Sequence, residues 1–183
     1  MPVNAPNDNL DVLAPSFNLK NINGEMVSLD NAKGQNGTVV VFICNHCPYV
    51  KSIASRLKKD SDELLEHSIN TVAIMSNDAI NYPDDSFDNM NIFSQKYKFN
   101  FPYLYDETQD VAKNYNAVCT PDFFGFDKNL KLKYRGRIDS GIMNSKTIEH
   151  IERDLFNAML MIKEEGVGPR KQLNSIGCSI KWK

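Results

Sequence analysis

Two cysteines separated by two residues, Cys44 and Cys47, have a spacing that indicates chemistry. They follow an apolar, β-branched run at residues 38–43, and apolar residues recur at helical spacing after them, which places the pair at the first turn of a helix. A helix start presents unpaired N–H groups and the positive end of the helix dipole, so a thiol there loses its proton more easily. The motif therefore predicts thiol–disulfide chemistry.

The residues of this motif are predicted to have different roles. We expect Cys44, taken as the more exposed residue at the strand–helix junction, to be the nucleophile, and Cys47 to resolve the mixed disulfide. His46 lies between them and is predicted to stabilise the Cys44 thiolate by charge or by a hydrogen bond, which makes the disulfide a stronger oxidant. The alternative for His46 is a solvated side chain on the first helical turn.

Strands and helices alternate along the rest of the sequence. Hydrophobic patterns predict a hairpin around Asn23-Gly24, a central strand at 38–43, an active-site helix that ends near His67 and a strand at 69–75. Further along, we expect a helix over about 86–97, a strand at 101–105, a helix at 108–115, strands at 122–126 and 130–137, and a long amphipathic helix over roughly 145–165. This order predicts a single α/β domain over residues 1–183, with residues 166–183 as a C-terminal tail.

Composition and charge exclude several classes of partner. The chain has 183 residues, 42% of them hydrophobic, and a formal net charge of -2, so there is no electrostatic reason to expect nucleic acid or an anionic membrane. The sequence opens without a basic region followed by an apolar one, and it has no apolar run of membrane-spanning length. We therefore expect a cytoplasmic protein whose four cysteines are working or buried thiols rather than structural disulfides.

Seven short segments over nearly the whole chain carry a family resemblance: Ala14-Pro-Ser-Phe17, Phe42-Ile-Cys-Asn-His-Cys-Pro-Tyr-Val50, Ser76-Asn-Asp78, Asn81-Tyr-Pro-Asp-Asp85, Phe101-Pro-Tyr-Leu-Tyr-Asp-Glu-Thr108, Cys119-Thr-Pro-Asp-Phe-Phe124 and Ile176-Gly-Cys-Ser-Ile-Lys-Trp-Lys183. They resemble the bacterial redoxins of the AhpC/TSA branch, which are peroxiredoxin-like members of the thioredoxin superfamily. A Cys-x-x-Cys between a strand and a helix is itself the thioredoxin-like signature. The resemblance implies a thioredoxin-like α/β fold, with a central mixed sheet flanked by helices and an N-terminal hairpin extension.

The segment Cys119-Thr120-Pro121 adds to this resemblance because it lies immediately before an apolar strand. In thioredoxin-like proteins a cis-proline faces the Cys-x-x-Cys at this point. The resemblance therefore implies that Pro121 is cis, and that the backbone of Thr120 is exposed to pair with a bound polypeptide near the sulfurs.

Two cysteines outside the motif are candidates for additional redox thiols. Cys119, two residues before Pro121, would lie near the Cys-x-x-Cys and accept its disulfide, and the alternative is a small, inert core residue. Cys178 is in the tail, which we expect to dock through Ile180 and Trp182. Once docked, Cys178 is either a relay or resolving thiol, or a packing residue.

Three positions differ from two groups of better known relatives. Peroxiredoxins have a proline and a Thr or Ser ahead of the peroxidatic cysteine, whereas Val41 and Gly37 stand three and seven residues before Cys44. Thioredoxin has a buried aspartate six residues before its first cysteine, as a proton acceptor for the resolving step, and Thr38 stands there in this chain. The resemblance therefore carries over neither the peroxide site nor this proton acceptor.

Three functions are compatible with these residues. The first is a thiol–disulfide oxidoreductase that acts on a protein or small-molecule disulfide or dithiol, as a monomer or homodimer, without a cofactor or metal. The second is a thiol-dependent peroxidase, in which Cys44 is oxidised to a sulfenic acid and Cys47 resolves it. The third is a non-catalytic redox-sensing or zinc-binding module. Peroxide consumption with a thiol donor separates the first two, and bound zinc after purification supports the third.

Overall fold

The structure is a computed structural model that describes residues 2–5, 10–141 and 151–183. Its strands are β1 Pro2–Asn4, β2 Asn18–Asn21, β3 Met26–Ser28, β4 Gly37–Phe42, β5 Ile69–Met75, β6 Tyr103–Tyr105, β7 Cys119–Thr120, β8 Asp122–Phe126, β9 Leu132–Gly136 and β10 Ile176–Ser179. Its helices are α1 Leu29–Ala32, α2 Pro48–Glu66, α3 Phe87–Tyr97, α4 Asp110–Asn114 and α5 Asp154–Glu165. None of the helices in the described segments has the length and apolar composition needed to cross a membrane.

Strand β4 is the central strand that delivers the motif. Within the described residues, seven strands form one sheet in the order β3-β2-β6-β5-β4-β8-β9, in which β4 runs parallel to β5 and antiparallel to β8. Every residue of β4 is buried, because α2, α3 and α5 pack on one face of the sheet and α1 and α4 on the other. A near-continuous apolar run is typical of a strand covered on both faces. The predicted mixed sheet with flanking helices is therefore confirmed.

The N-terminal hairpin is also confirmed. Strands β2 and β3 pair antiparallel around the Asn23-Gly24 turn, where Gly24 has a φ of 89°, a conformation that glycine adopts without a steric penalty. Strand β2 then pairs with β6, so the hairpin extends the main sheet. Three other elements, β6, α4 and β9, are shorter than predicted.

The long helix predicted over 145–165 is wrong in its N-terminal part. Helix α5 begins only at Asp154, and residues 151–153 are not helical. The remaining predicted positions, 145–150, lie outside the described residues.

Tertiary contacts account for the late start of α5. The backbone N–H of Ser140 donates to the carbonyl of Glu152 at 2.9 Å, so this segment pairs with the chain that follows β9. Arg153 binds Asp60 and Glu63 of α2, with 2.8 Å between its Nε and Asp60 Oδ1 and 2.7 Å between its Nη1 and Glu63 Oε2. These contacts oppose a helical backbone here, and helical periodicity in the sequence does not reveal them.

A small second sheet brings the C-terminal tail to the segment before Pro121. In the described part of the chain its order is β1-β10-β7, and Cys178 of β10 pairs with Thr120 of β7. A Cβ at Gly177 would lie 2.1 Å from the Thr120 carbonyl oxygen, so glycine allows the two strands to approach. The sequence did not predict this sheet.

The tail docks in a different way from the one expected. Ile180 is buried at 3% exposure, whereas Trp182 is 42% exposed, so docking through Trp182 is wrong. The backbone N–H of Lys181 donates to Asn77 Oδ1 at 2.9 Å. Strand pairing, Ile180 and this hydrogen bond therefore hold the tail in place.

A buried ion pair lies beside the same segment. Arg135 Nη2 donates to Asp122 Oδ2 and to the carbonyl of Asn116, each at 2.8 Å. The guanidinium carbon lies 4.4 Å from the centre of the Phe124 ring. Neither charged side chain is more than 2% exposed, so this contact replaces hydration that both side chains lose on burial.

We predict that Asp122→Ala lowers the free energy of unfolding by about 3–5 kcal/mol, because it removes a buried carboxylate that pairs with the buried Arg135 guanidinium. The matched control is Asp30→Ala, which removes a carboxylate that is 81% exposed and paired with Lys33; surface pairs of this kind contribute little. Urea denaturation of both variants checks the prediction. Similar losses for the two variants would contradict it.

Candidate active site

The two motif cysteines lie where β4 leads into α2. Cys47 is the N-cap of α2, and Pro48 takes a first-turn position, where its missing N–H costs no hydrogen bond. Both cysteine side chains have 0% exposure, so the expectation that Cys44 is the more exposed one is wrong. They are buried because Thr120 and the docked tail pack against them.

Thr120 contacts both sulfurs. The Thr120–Pro121 peptide bond is cis, as the resemblance implied. The Thr120 hydroxyl oxygen is 3.2 Å from Cys44 Sγ, and its carbonyl oxygen is 3.2 Å from Cys47 Sγ. The backbone of Thr120 was expected to be exposed for a bound polypeptide. That expectation is wrong, since Thr120 is 2% exposed and already pairs with Cys178.

Hydrogen bonding shifts the pKa values of the two motif thiols in opposite directions. A hydrogen bond from Cys44 lowers the pKa of Cys47 to about 5, with further contributions from the Cys178 thiol and the Val50 amide. Burial opposes these contributions, and the Cys47 thiol when protonated donates to the Thr120 carbonyl at 3.2 Å. Donation to Cys47, burial and the Asp85 carboxylate raise the pKa of Cys44. These shifts favour Cys47 as the thiolate of the pair, whereas the sequence predicts Cys44 as the nucleophile.

The other two cysteines are in different surroundings. Cys178 is partly exposed, and burial, followed by its hydrogen bond to Cys47, raises its pKa to about 11. Cys119 is fully buried, and its sulfur lies 3.7 Å from the Pro121 carbonyl oxygen. Burial raises the pKa of Cys119. Of the two candidate redox thiols, Cys178 packs against the core cluster that contains both motif cysteines and pairs with Thr120.

His46 makes its hydrogen bond to a carboxylate. Its Nδ1 is 2.6 Å from Asp85 Oδ2, and its ring stacks on Tyr82 with 6.1 Å between the ring centres. The hydrogen bond expected towards Cys44 is thus made to Asp85. Since the His46 side chain is 25% exposed, it connects the buried carboxylate with solvent.

Asp85 is the residue of the site that sequence reasoning missed. It is fully buried and accepts hydrogen bonds from the Asn45 amide at 2.8 Å and from Asn77 Nδ2 at 2.7 Å. Its place in the segment Asn81-Tyr-Pro-Asp-Asp85 was a signal, but nothing in the sequence distinguished it from the exposed Asp84. Only the fold brings it to the motif.

The donor atoms of Cys44, His46 and Asp85 lie within 4.8 Å of one another. This spacing would suit a metal ion. Among the described residues, this group is the one to compare with the hypothesis of a zinc-binding module. Hydrogen bonds already satisfy Asp85 Oδ2, which accepts from His46 and from Asn77. The arrangement therefore needs no metal to be stable, and it places a carboxylate near a protonated thiol.

The sequence model of the AhpC/TSA family matches residues 11–135. An uncharacterized conserved protein from Geobacillus kaustophilus is similar in structure, with a TM-score of 0.93 and 43% identity over 100% of this chain and 97% of that one. A hypothetical protein from Sinorhizobium meliloti 1021 has a TM-score of 0.91 and 32% identity, and the match covers 98% of both chains.

The thioredoxin domain of a thiol-disulfide oxidoreductase from Bacteroides vulgatus is a more distant match. Its TM-score is 0.60 at 17% identity, over 70% of this chain and 89% of that one. At this identity the similarity shows the fold alone, and the thioredoxin-like fold is confirmed. A comparison with curated proteins gave no match.

We predict that Cys47→Ser removes the low-pH ionisation, because Cys47 carries the thiolate. Cys44→Ser retains a thiolate on Cys47, but with a higher pKa, since the strongest hydrogen-bond donor is weakened. The ultraviolet absorbance of the thiolate, titrated against pH, measures both effects without requiring access of a reagent to a buried sulfur. Cys119→Ser is the control and leaves the titration unchanged. If Cys44→Ser abolished the low-pH ionisation and Cys47→Ser preserved it, the roles would be reversed.

Proposed function

Because the chain belongs to the AhpC/TSA family, we propose that it is a thiol–disulfide oxidoreductase whose redox pair is Cys44 and Cys47. Members of this family are in general oxidoreductases. The observation that carries the proposal is the placement of both cysteine sulfurs at the start of α2, each 3.2 Å from an oxygen of Thr120 beside the cis peptide bond. A thiol and a thiolate in contact at a helix N-terminus favour disulfide exchange.

In the proposed reaction, the Cys47 thiolate attacks one sulfur of a substrate disulfide. A mixed disulfide forms, and the other substrate sulfur leaves as a thiolate. Cys44 then attacks the Cys47 sulfur and expels the second substrate thiolate. The protein has lost two electrons and holds a Cys44–Cys47 disulfide, while the substrate has gained the electrons and become two thiols. The reverse sequence oxidises a dithiol substrate.

The second step requires Cys44 to lose its proton, and Asp85 is suited to accept it. A carboxylate oxygen of Asp85 lies within 4.8 Å of Cys44 Sγ, and His46 connects the other side of that carboxylate with solvent. Thr38, at the position of the thioredoxin aspartate, is instead bonded to the Gly34 amide at 3.1 Å. We infer that Asp85, from a different part of the chain, takes over the proton.

Trapping tests the proposed exchange. A Cys44→Ser/Cys178→Ser variant attacks substrates through Cys47 but has no neighbouring thiol to release them. We expect mixed disulfides on Cys47, detected on non-reducing gels and identified by mass spectrometry. Adding Cys47→Ser is the control and removes them. If the purified protein instead consumes peroxide with a thiol donor and traps no disulfide partner, the peroxidase hypothesis replaces this one.

We predict that Asp85→Asn slows the release of the mixed disulfide by about 10²-fold near neutral pH, a typical contribution of a general base. The difference in release rate between Asp85→Asn and the unchanged protein narrows as the pH approaches the range in which Cys44 ionises without a general base. Stopped-flow measurement of thiol release against pH provides the test, with Asp84→Asn as the matched control, because only the backbone of Asp84 bonds to the motif.

The experiment on Asp85→Asn also has a clear outcome that would contradict the role of Asp85 as proton acceptor. Its negative charge raises the pKa of Cys44, so its removal alone makes Cys44 easier to ionise. If Asp85 were only a nearby charge, Asp85→Asn would accelerate the release step. An accelerated or unchanged rate would therefore exclude Asp85 as the proton acceptor.

A further inference from the structure

The edge of β7 beside the motif sulfurs is already occupied by this chain's own tail. An unpaired strand edge is where an extended polypeptide adds by backbone hydrogen bonding. Here β10 pairs antiparallel with β7 on one side and with β1 on the other. Cys178 is opposite Thr120 in this pairing, and Thr120 contacts both motif sulfurs. A cysteine of the tail therefore lies where a cysteine of a bound polypeptide would meet the motif.

We propose that Cys178 is a built-in exchange partner of Cys47, which forms a disulfide with either Cys44 or Cys178. The proposal rests on the proposed redox role of Cys47 and extends it from two thiols to three.

Three observations on Cys178 support this. It packs against the core cluster that contains Cys47, and it lies opposite Thr120, whose carbonyl oxygen is 3.2 Å from Cys47 Sγ. Strand pairing on both sides of β10 fixes its position, and the absence of a side chain at Gly177 allows that pairing. Cys178 is also partly exposed, while the other three cysteines are buried. It is therefore the most solvent-accessible thiol of this group.

Glutathione disulfide serves as the chemical probe of this step. One of the two thiolates, on Cys47 or Cys178, attacks the probe and releases one glutathione thiolate. The other then attacks the protein sulfur of the mixed disulfide and releases the second glutathione, which leaves a Cys47–Cys178 disulfide. Attack of Cys44 on the Cys47 sulfur converts this bond into Cys44–Cys47 and frees Cys178. Each exchange forms one sulfur–sulfur bond and breaks one.

The decisive variant is Cys44→Ser, treated with glutathione disulfide and analysed by alkylation and peptide mass spectrometry. We expect the loss of two free thiols and a Cys47–Cys178 peptide, with Cys119 still free. Cys44→Ser/Cys119→Ser is the matched control and gives the same disulfide. If Cys44→Ser gave only a glutathione adduct, or did not react, the proposal would be overturned.

Two further variants separate this inference from the proposed function. Cys178→Ser is expected to form the Cys44–Cys47 disulfide, and its failure to do so would count against the redox pair but not against the Cys47–Cys178 contact.

Gly177→Ala forces β10 away from Thr120, since the new Cβ would lie 2.1 Å from the Thr120 carbonyl oxygen. In the Cys44→Ser background it should abolish the Cys47–Cys178 disulfide, and with Cys44 present it should still form Cys44–Cys47, while circular dichroism checks that the variant is folded. Retention of the Cys47–Cys178 disulfide in Gly177→Ala would show that β10 does not position Cys178.

Discussion

The burial of two redox sulfurs away from water, one of them negatively charged in the proposed reaction, is the constraint on which this site depends. A buried charge is costly unless hydrogen bonds replace the lost hydration. The donors to Cys47 come from three separate parts of the fold: the Cys44 thiol after β4, the Val50 amide in α2 and the Cys178 thiol in β10. The stability of the thiolate, and with it the oxidising power of the disulfide, is thus linked to the docking of the tail.

Cys44 lies between two acidic groups, the Cys47 thiolate and the Asp85 carboxylate, and this explains why it stays protonated. Each acidic group has its own set of donors, because Asn45, His46 and Asn77 all bond to Asp85. A thiol held in this way donates to Cys47 until Cys47 is consumed in a mixed disulfide. At that point the neighbouring negative charge is gone and Cys44 is easier to ionise. The site therefore couples the first exchange step to the second.

The sequence alone predicted the elements that carry strong local patterns. The apolar run of β4 can only be a strand covered on both faces, Asn23-Gly24 favours a hairpin turn, and Cys-x-x-Cys before an amphipathic pattern marks the start of α2. The cis bond at Pro121 followed from family resemblance and is confirmed. The start of α5 was predicted wrongly, because the contacts of Arg153 with α2 override a helical pattern that continues through residues 151–153.

The sequence by itself determined the fold class and the pair Cys44 and Cys47. The fold class follows from short-range patterns of apolar residues, and the pair follows from the spacing of the two cysteines. The tertiary structure decided which sulfur is the thiolate, brought Asp85 to the motif and seated Cys178 against Cys47. The positions of Asp85 and Cys178 depend on hydrogen bonds and strand pairing between residues dozens of positions apart in the chain. A pKa depends on the donors and charges around a group, and those neighbours exist only once β7, β10 and the turn at Pro83–Asp85 have come together.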